Sequence, residues 1–314
     1  MGNSVNTNVV ALNAQRNLST SQSSLSQSMQ RLSSGLRVNS ARDDAAGLAI
    51  AERMGAQVKG MNVAIRNAND GISYAQTAEG ALSKIGDNLQ RMRELAVQSR
   101  NATNSDGDRS NLQKEFTQLQ DEINRTITGS KFNDKAMFSG ADTTLEFQVG
   151  AGTDDSDRIS VSSASLGGGA AETSGEITAK LDAGTAVDLD NLMATLTTKN
   201  NTGATSADGI TIGGSSGVTV DHIDDAIKVI DEALTQINDK RAEFGAVQNR
   251  FEAVISNLQI SVENESAARG RIMDADFAAE TANLSKAQIL QQAGTAMLSQ
   301  ANQLPQQVLQ LLQG

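Results

Sequence analysis

Apolar residues recur every three or four positions over most of the chain, the spacing of long helices rather than of strands. Val58, Met61, Ile65, Ala68, Ile72, Ala75, Ala78, Leu82, Ile85, Leu89, Met92 and Ala96 make eleven steps over 38 residues, about 3.45 per step and close to the 3.5 of a coiled-coil seam. The spacing predicts one long helix with a single narrow apolar stripe. Gly60, Gly71, Gly80 and Gly86 lie inside it. Each costs about 1 kcal/mol against Ala in an isolated helix, so packing is expected to hold it straight.

A second seam, Leu112, Phe116, Leu119, Ile123 and Ile127, follows the turn-rich stretch Asn101 to Ser110. Two helices joined by a short polar loop are expected to lie antiparallel. Farther on, Ile223, Ile227, Ile230, Leu234, Ile237, Phe244, Val247, Phe251, Val254, Leu258 and Val262 predict another long helix, interrupted on its stripe only by Arg241. About forty residues at 1.5 Å each make a rod on the order of 60 Å, too long for a compact domain to enclose. It is expected to pair with the helix of residues 58–96.

The two ends repeat the theme. Val5, Val9, Leu12, Leu18, Leu25, Met29, Leu32 and Leu36 are expected to face Leu290, Ala293, Met297, Ala301, Leu304, Val308 and Leu311. Two helices paired only with each other leave apolar flanks, for which neighbouring copies are the natural cover. Pro305 marks a candidate kink in the last helix, because its ring removes a backbone donor.

Between Ala141 and Asp221 the periodicity disappears, and Gly, Ser, Thr, Asp and Asn dominate, with Gly167, Gly168 and Gly169 in a row. Thr143 to Val149 and Arg158 to Ser163 alternate around a turn and predict a half-exposed β-hairpin. A short helix around Leu189 to Leu196 and a strand pair around Ile210 to Val220 complete the reading. The fold class is therefore mainly α. Long antiparallel, coiled-coil-like helices pair the N- and C-terminal segments, and they carry a β-hairpin and a small variable insertion expected to contain β structure.

Composition narrows the chemistry. Trp and Cys are absent, Tyr, Pro and His occur once each, and aromatic residues make up 3%, so burial must rely on Ala, Leu, Ile, Val and Met. The formal charge of −11, without basic clusters or aromatic platforms, argues against nucleic acid. No run of 18 apolar residues is present, so no segment is read as crossing a membrane. Residues 1–30 have neither the charged start nor the apolar stretch of a cleaved secretory signal.

Catalytic constellations fail for want of parts. His222 is the only histidine, which rules out a two-histidine metal site and leaves a Ser-His-acid triad without its G-x-S-x-G elbow. Asp154, Asp155, Ser156 and Asp157 lack the central Gly and twelfth-position Glu of a calcium loop and read as a solvated turn. The glycine run lacks the Lys-Ser/Thr of a phosphate loop and reads as a tether. No catalytic residue, metal site or cofactor is expected.

The residues then carry a resemblance. Gln30 to Ala51, QRLSSGLRVNSARDDAAGLAIA, closely resembles the N-terminal signature of bacterial flagellins. The resemblance continues through NANDGISYAQTAEG (67–80) and LQRMRELAVQS (89–99), and resumes with GAVQNRFEAVISNL (245–258) and the long run 271–312. With their flanks these motifs cover roughly two thirds of the chain, at both ends. The resemblance implies a structural filament subunit whose partners are copies of itself, the filament cap and the hook-junction proteins. The match at both termini favours a filament subunit over a hook-filament junction protein.

The resemblance further implies an inner D0 layer of residues 1–44 with 274–314. A D1 rod of 45–164 with 220–273 follows, carrying the hairpin near 143–163, and 165–219 form a short outer insertion. It implies export of the unfolded chain through the flagellar type III system, and a chaperone that shields the C-terminal segment in the cytosol. Flagellins recognised by the innate receptor TLR5 present a patch whose residue types match here at Arg91, Leu95 and Glu115. The assembly helices are expected to act through Val5, Val9, Leu12, Leu25, Leu32, Leu290, Met297, Leu304, Val308 and Leu311.

Overall fold

The computed structural model describes residues 8–138, 144–166, 174–183, 187–197, 210–213 and 220–312, with side chains described as far as residue 303 except at 174 and 175. Seven helices account for most of these residues: α1 (Val9–Ser34), α2 (Ala45–Ser99), α3 (Asp106–Gly129), α4 (Ser174–Asp182), α5 (Leu189–Thr197), α6 (Val220–Met273) and α7 (Phe277–Leu312). Two small antiparallel pairs join them, β1 (Lys131–Phe132) with β2 (Lys135–Ala136) and β3 (Thr144–Gln148) with β4 (Arg158–Ser162). The chain forms two compact units, one of residues 1–59 with 260–314 and one of residues 60–259.

In the 60–259 unit the counted seam of α2 becomes core. Ala68, Ala75, Ala78, Leu82, Ile85, Leu89, Met92 and Ala96 are all fully buried. The stripe is wider than the narrow one expected, because Tyr74, Leu95 and Ser99 are buried as well, which a helix with more than one partner requires. Its partner α6 buries Ile223, Ala226, Val229, Ile230, Ala233, Ile237, Phe244 and Phe251.

Three ion pairs fix the direction of that pairing. Arg100 meets Asp224, Arg93 meets Asp231, and Glu79 meets Arg241. Positions fall along α6 as they rise along α2, so the two helices run antiparallel. Arg241, the one charge on the α6 stripe, finds its answer in Glu79 at 3.0 Å.

The helical glycines divide into two kinds. A Cβ on Gly71 would stand 2.5 Å from the Phe251 ring, and one on Gly60 would stand 2.9 Å from Ala151 Cβ, whereas Gly80 has open space around it. The first two allow close approach. Gly80 has only its propensity cost.

Helix α3 starts at Asp106, inside the stretch read as a turn. Ser105 and Asp108 form a capping box: the Ser105 hydroxyl accepts from Asp108 N, and the Asp108 carboxylate accepts from Ser105 N at 3.1 Å. Two of the helix's orphan donors are thereby satisfied. The helix buries Phe116, Gln120, Ile123 and Ile127.

The expected hairpin is present as β3 and β4, with Leu145 opposite Val161 and Phe147 opposite Ile159. Val161 and Ile159 are buried, and Phe147 packs edge-on against Phe251 at 5.6 Å. Asn67 holds the end of β3 to α2 by donating to the Gln148 carbonyl at 3.0 Å. The tighter β1–β2 turn was not anticipated; Asn133 and Asp134 both take positive φ there, as a two-residue mirror-image turn demands.

In the insertion the short helix expected around Leu189 to Leu196 is present as α5, whereas α4 and the docking on the rods were not expected. The insertion's described residues form helices α4 and α5 and no strand, and they do not stand apart from the rods: Leu166, Ile177, Leu189, Leu192, Met193, Leu196, Ile210 and Ile212 share one core with α2, α3 and α6. The glycine run 167–169 and most of the expected strand pair lie outside the described residues.

In the unit of residues 1–59 with 260–314, α1 packs along α7. Backbone bonds join the two connections at their base. Gly35, at φ 72, ends α1 in a left-handed cap, and its carbonyl accepts from Ala275 N at 2.9 Å. Arg37 N and Val38 N both donate to the Met273 carbonyl, and the Arg37 guanidinium donates to the Ile272 carbonyl at 2.7 Å. Leu36 and Asp274 form an antiparallel bridge. Helix α7 continues through Pro305 to Leu312.

Candidate assembly and recognition surfaces

Only part of the stripe the sequence singled out makes the pairing of α1 with α7: Leu18, Leu25, Leu32 and Ala301 lie in it, and Val9, Leu12, Met29, Leu290 and Met297 do not. On α1 the positions turned inward are Ala11, Ala14, Leu18, Ser21, Leu25, Ser28 and Leu32; on α7 they are Leu284, Ala287, Gln291, Gly294, Leu298 and Ala301. Both sets step by three and four, but most members are small or polar. Gly294 explains the closeness, since a Cβ there would stand 3.2 Å from Leu18 Cδ1.

The larger apolar residues face out. Val9, Leu12 and Met29 on α1, and Leu290 and Met297 on α7, are between 48% and 67% exposed. Val9 and Leu12 lie on the side of α1 away from its seam, and Leu290 and Met297, two helical turns apart, share one flank of α7. The expectation that they face each other across the pair is therefore corrected. They lie off the three-four step that carries Leu18, Leu25, Leu32, Leu284 and Leu298, leucines that are interleaved with Ala, Ser and Gly where the helices approach closely. Val10, Phe277 and Ile289, which the period did not single out, are exposed in the same way. Leu25 and Leu32 are half-buried in the seam. Val5 and the side chains of Leu304, Val308 and Leu311 lie outside the described residues.

Polar contacts mark the two ends of the seam. Near its base Arg31 Nη1 lies 3.8 Å from Glu280 Oε2, and Glu280 is buried. At the far end Asn8 caps α1 through Ala11 N and donates across to the Ala301 carbonyl at 2.7 Å. Between them an open polar groove runs past Thr20, Ser24, Gln27, Asn283 and Lys286, with Leu290 on its border.

The second candidate surface joins α2 and α3. Arg91 Nε and Nη2 both donate to Glu115 Oε1, at 2.9 and 2.7 Å, and Nη1 donates to Glu94 Oε2 at 2.8 Å. Both Arg91 and Glu115 are half-exposed. Glu94, and next Glu115, push the guanidinium pKa further up, so the charge is fixed at any pH of interest. Leu95 does not share this surface, being fully buried in the core. The seam position next to it, Ala96, was the signal for that.

Among the described residues no cluster of His, Asp or Glu could hold a metal ion, and no helix is long and apolar enough to cross a membrane. A chain whose first and last helices close on a narrow seam and hold further large apolar side chains in solvent has the build of a structural subunit, completed by other chains. Residues 5–143 match the family pattern described as bacterial flagellin N-terminal helical region, and residues 227–312 match the bacterial flagellin C-terminal helical region.

The chain belongs to the bacterial flagellins, and is a structural protein of the extracellular flagellar filament rather than an enzyme. A flagellin of Xenorhabdus nematophila is 46% identical over 312 residues, covering 99% of this chain and all of that one. Flagellin C of Vibrio cholerae serotype O1 is 37% identical over 376 aligned residues, covering 99% of this chain and all of that one. In fold the chain is similar to a Vibrio parahaemolyticus structure described as a flagellar hook-associated protein, with TM-score 0.52 and 15% identity over 74% of this chain and the whole of that one.

Proposed function

We propose that α1 and α7 form the innermost layer of the filament and that copies of the same pair cover the outward apolar residues. The observation that carries this reading is the apolar outer side of the pair: Val9, Leu12, Leu290 and Met297 stand in solvent beside a seam already closed by Leu, Ala, Ser and Gly. Moving one Leu or Val from water into such a contact contributes about 1.5–3 kcal/mol. A stripe of them is enough to hold an otherwise narrow seam. Residues 1–44 with 274–314 make this layer, and 45–164 with 220–273 make the next.

Export precedes assembly in this reading. The subunit passes unfolded through the flagellar type III channel, and a cytosolic chaperone covers the apolar flank of α7 beforehand. The filament cap and the hook-junction proteins meet the same terminal helices at the two ends of the polymer. Arg91 and Glu115 supply the contact for TLR5, and Leu95 acts from below by setting the position of α2.

The test is seeded polymerisation of the double variant Leu290→Ser, Met297→Ser. The critical concentration is expected to rise at least tenfold while the melting of the monomer stays unchanged. Polymerisation at the unaltered critical concentration would remove the outward face from the assembly contact. For the receptor, Arg91→Ala and Glu115→Ala monomers are expected to signal more weakly, and equal signalling would reject the patch.

A further inference from the structure

We infer that α5 and residues 210–213 form an internal brace that holds α3 against α2 and α6, which makes the insertion of this chain part of the rod rather than a removable projection. A projection would leave behind a rod whose own side chains closed its core. Here Leu192, Met193, Leu196 and Ile212 are fully buried, in the same core as Phe116, Ile123 and Ile230.

The bonding of 210–213 is more specific than apolar contact. Gln113 Oε1 accepts from both Ile212 N and Gly213 N, at 2.7 and 3.1 Å. Gln120, two turns along α3 and 2% exposed, donates to the Leu196 carbonyl at 2.7 Å and reaches the Ile210 carbonyl at 3.4 Å. From α2, the buried Ser99 hydroxyl donates to the Ile212 carbonyl at 2.5 Å. These side chains supply the donors and acceptors that a neighbouring strand would supply in a sheet.

Gly213 sits so close to α3 that a Cβ would stand 2.3 Å from the Arg109 carbonyl oxygen. On the remaining side, Gln236 of α6 donates to the Val187 carbonyl at 2.8 Å, and Lys228 of α6 pairs with Asp182 at 2.9 Å. Residues 210–213 and the end of α5 are thus bonded to α2 and α3, and the flanking Val187 and Asp182 tie the insertion to α6. Removing it would strand the polar ends of Gln120 and Ser99 inside an opened core.

The experiment uses the full-length monomer. Gln113→Leu and Gln120→Leu are compared with Gln118→Leu, an exposed glutamine on the same helix. Amide exchange of α3 is expected to speed up about tenfold or more in the first two, with a fall in Tm of about 3 °C or more. Gln118→Leu is expected to change neither. A chain in which a short Gly/Ser linker replaces 165–219 is expected to lose α3 protection altogether. Retention of full protection and Tm by the excised chain, or Gln113→Leu and Gln120→Leu variants indistinguishable from Gln118→Leu, would overturn the brace. The measurement needs no filament, so it stands apart from the assembly reading.

Discussion

The 60–259 unit and the terminal unit are built from similar helices that enclose their large side chains to very different degrees. The first puts its Phe, Leu and Ile inside: Phe116, Phe251, Leu82, Ile85 and Leu89 are fully buried. The second only half-buries its seam leucines Leu18, Leu25, Leu32, Leu284 and Leu298, interleaved with Ala, Ser and Gly, and leaves Val9, Leu12, Leu290 and Met297 in water. Buried apolar area is what offsets conformational entropy, so the first unit can stand alone and the second gains stability when covered. One chain thereby separates folding from association, and its variants should separate them too.

The largest effect belongs to the dry core. Phe251→Ala removes the ring that packs on Phe147 and closes over Gly71. Denaturant unfolding of the monomer is expected to show a loss of about 3–5 kcal/mol. A loss below about 1 kcal/mol would mean that the α2–α6 contact is not the source of stability.

Glu280→Ala acts on the other unit. It removes the ion-pair partner of the partly exposed Arg31 at the base of the α1–α7 seam, at a cost of up to about 1 kcal/mol. The main thermal transition is expected to stay within 1–2 °C, whereas polymerisation slows. A variant that shifted the main transition and polymerised normally would invert the contrast between the units.

Gly80→Ala is expected to stabilise the monomer by up to about 1 kcal/mol, since the position is helical and open. Gly71→Ala is the control, and the Phe251 ring should make it destabilising. A shared sign in the two variants would show that packing does not distinguish these glycines.

The smallest effect is electrostatic. The Ser105 hydroxyl and backbone N–H hold the Asp108 carboxyl below its ordinary pKa. The folded value lies under the unfolded one, so the contribution is complete above about pH 3.9. It declines as the pH falls past that value and vanishes below the folded pKa. Melting curves of the wild type and of Asp108→Ala are expected to differ at pH 7 and to converge in acid; a constant gap would remove the capping box as its cause.

How much of this was legible in the sequence depended on how strongly size and period agreed. In α2 and α6 the largest side chains carry the 3.5 period and also form the core, so counting Leu82, Ile85, Leu89 and Ile237 was enough. In α1 and α7 the period appears twice, once in large residues on the outer side and once in a seam where Leu alternates with small and polar residues. Counting apolar residues selected Leu290 and Met297 and passed over Gly294 and Ser28. Period alone does not say which of two stripes meets its partner; the presence of Gly and Ser at heptad spacing was the signal for close approach.

Two other features were hidden for different reasons. The start of α3 was written in Ser105 and Asp108, a capping box with Asp in place of the usual Glu. The docking of 210–213 was not written in apolar pattern at all, because two glutamine side chains bind its backbone. Of the three residues proposed for receptor contact, Arg91 and Glu115 were legible as exposed helix positions. Leu95 required knowing that α2 has partners on more than one side.

The bonds among Gly35, Arg37, Met273 and Ala275 have a kinetic consequence. Arg37 and Ile272 are 235 residues apart in the chain, yet the clasp brings the roots of α1 and α7 together. Once it has formed, the two arms are held at high effective concentration, and the entropy of closing the long loop has already been lost. From there the arms can zip from root to tip, as the legs of a helical hairpin do. A neighbouring subunit then meets a pair with its register set, and has no strand-by-strand search left to make.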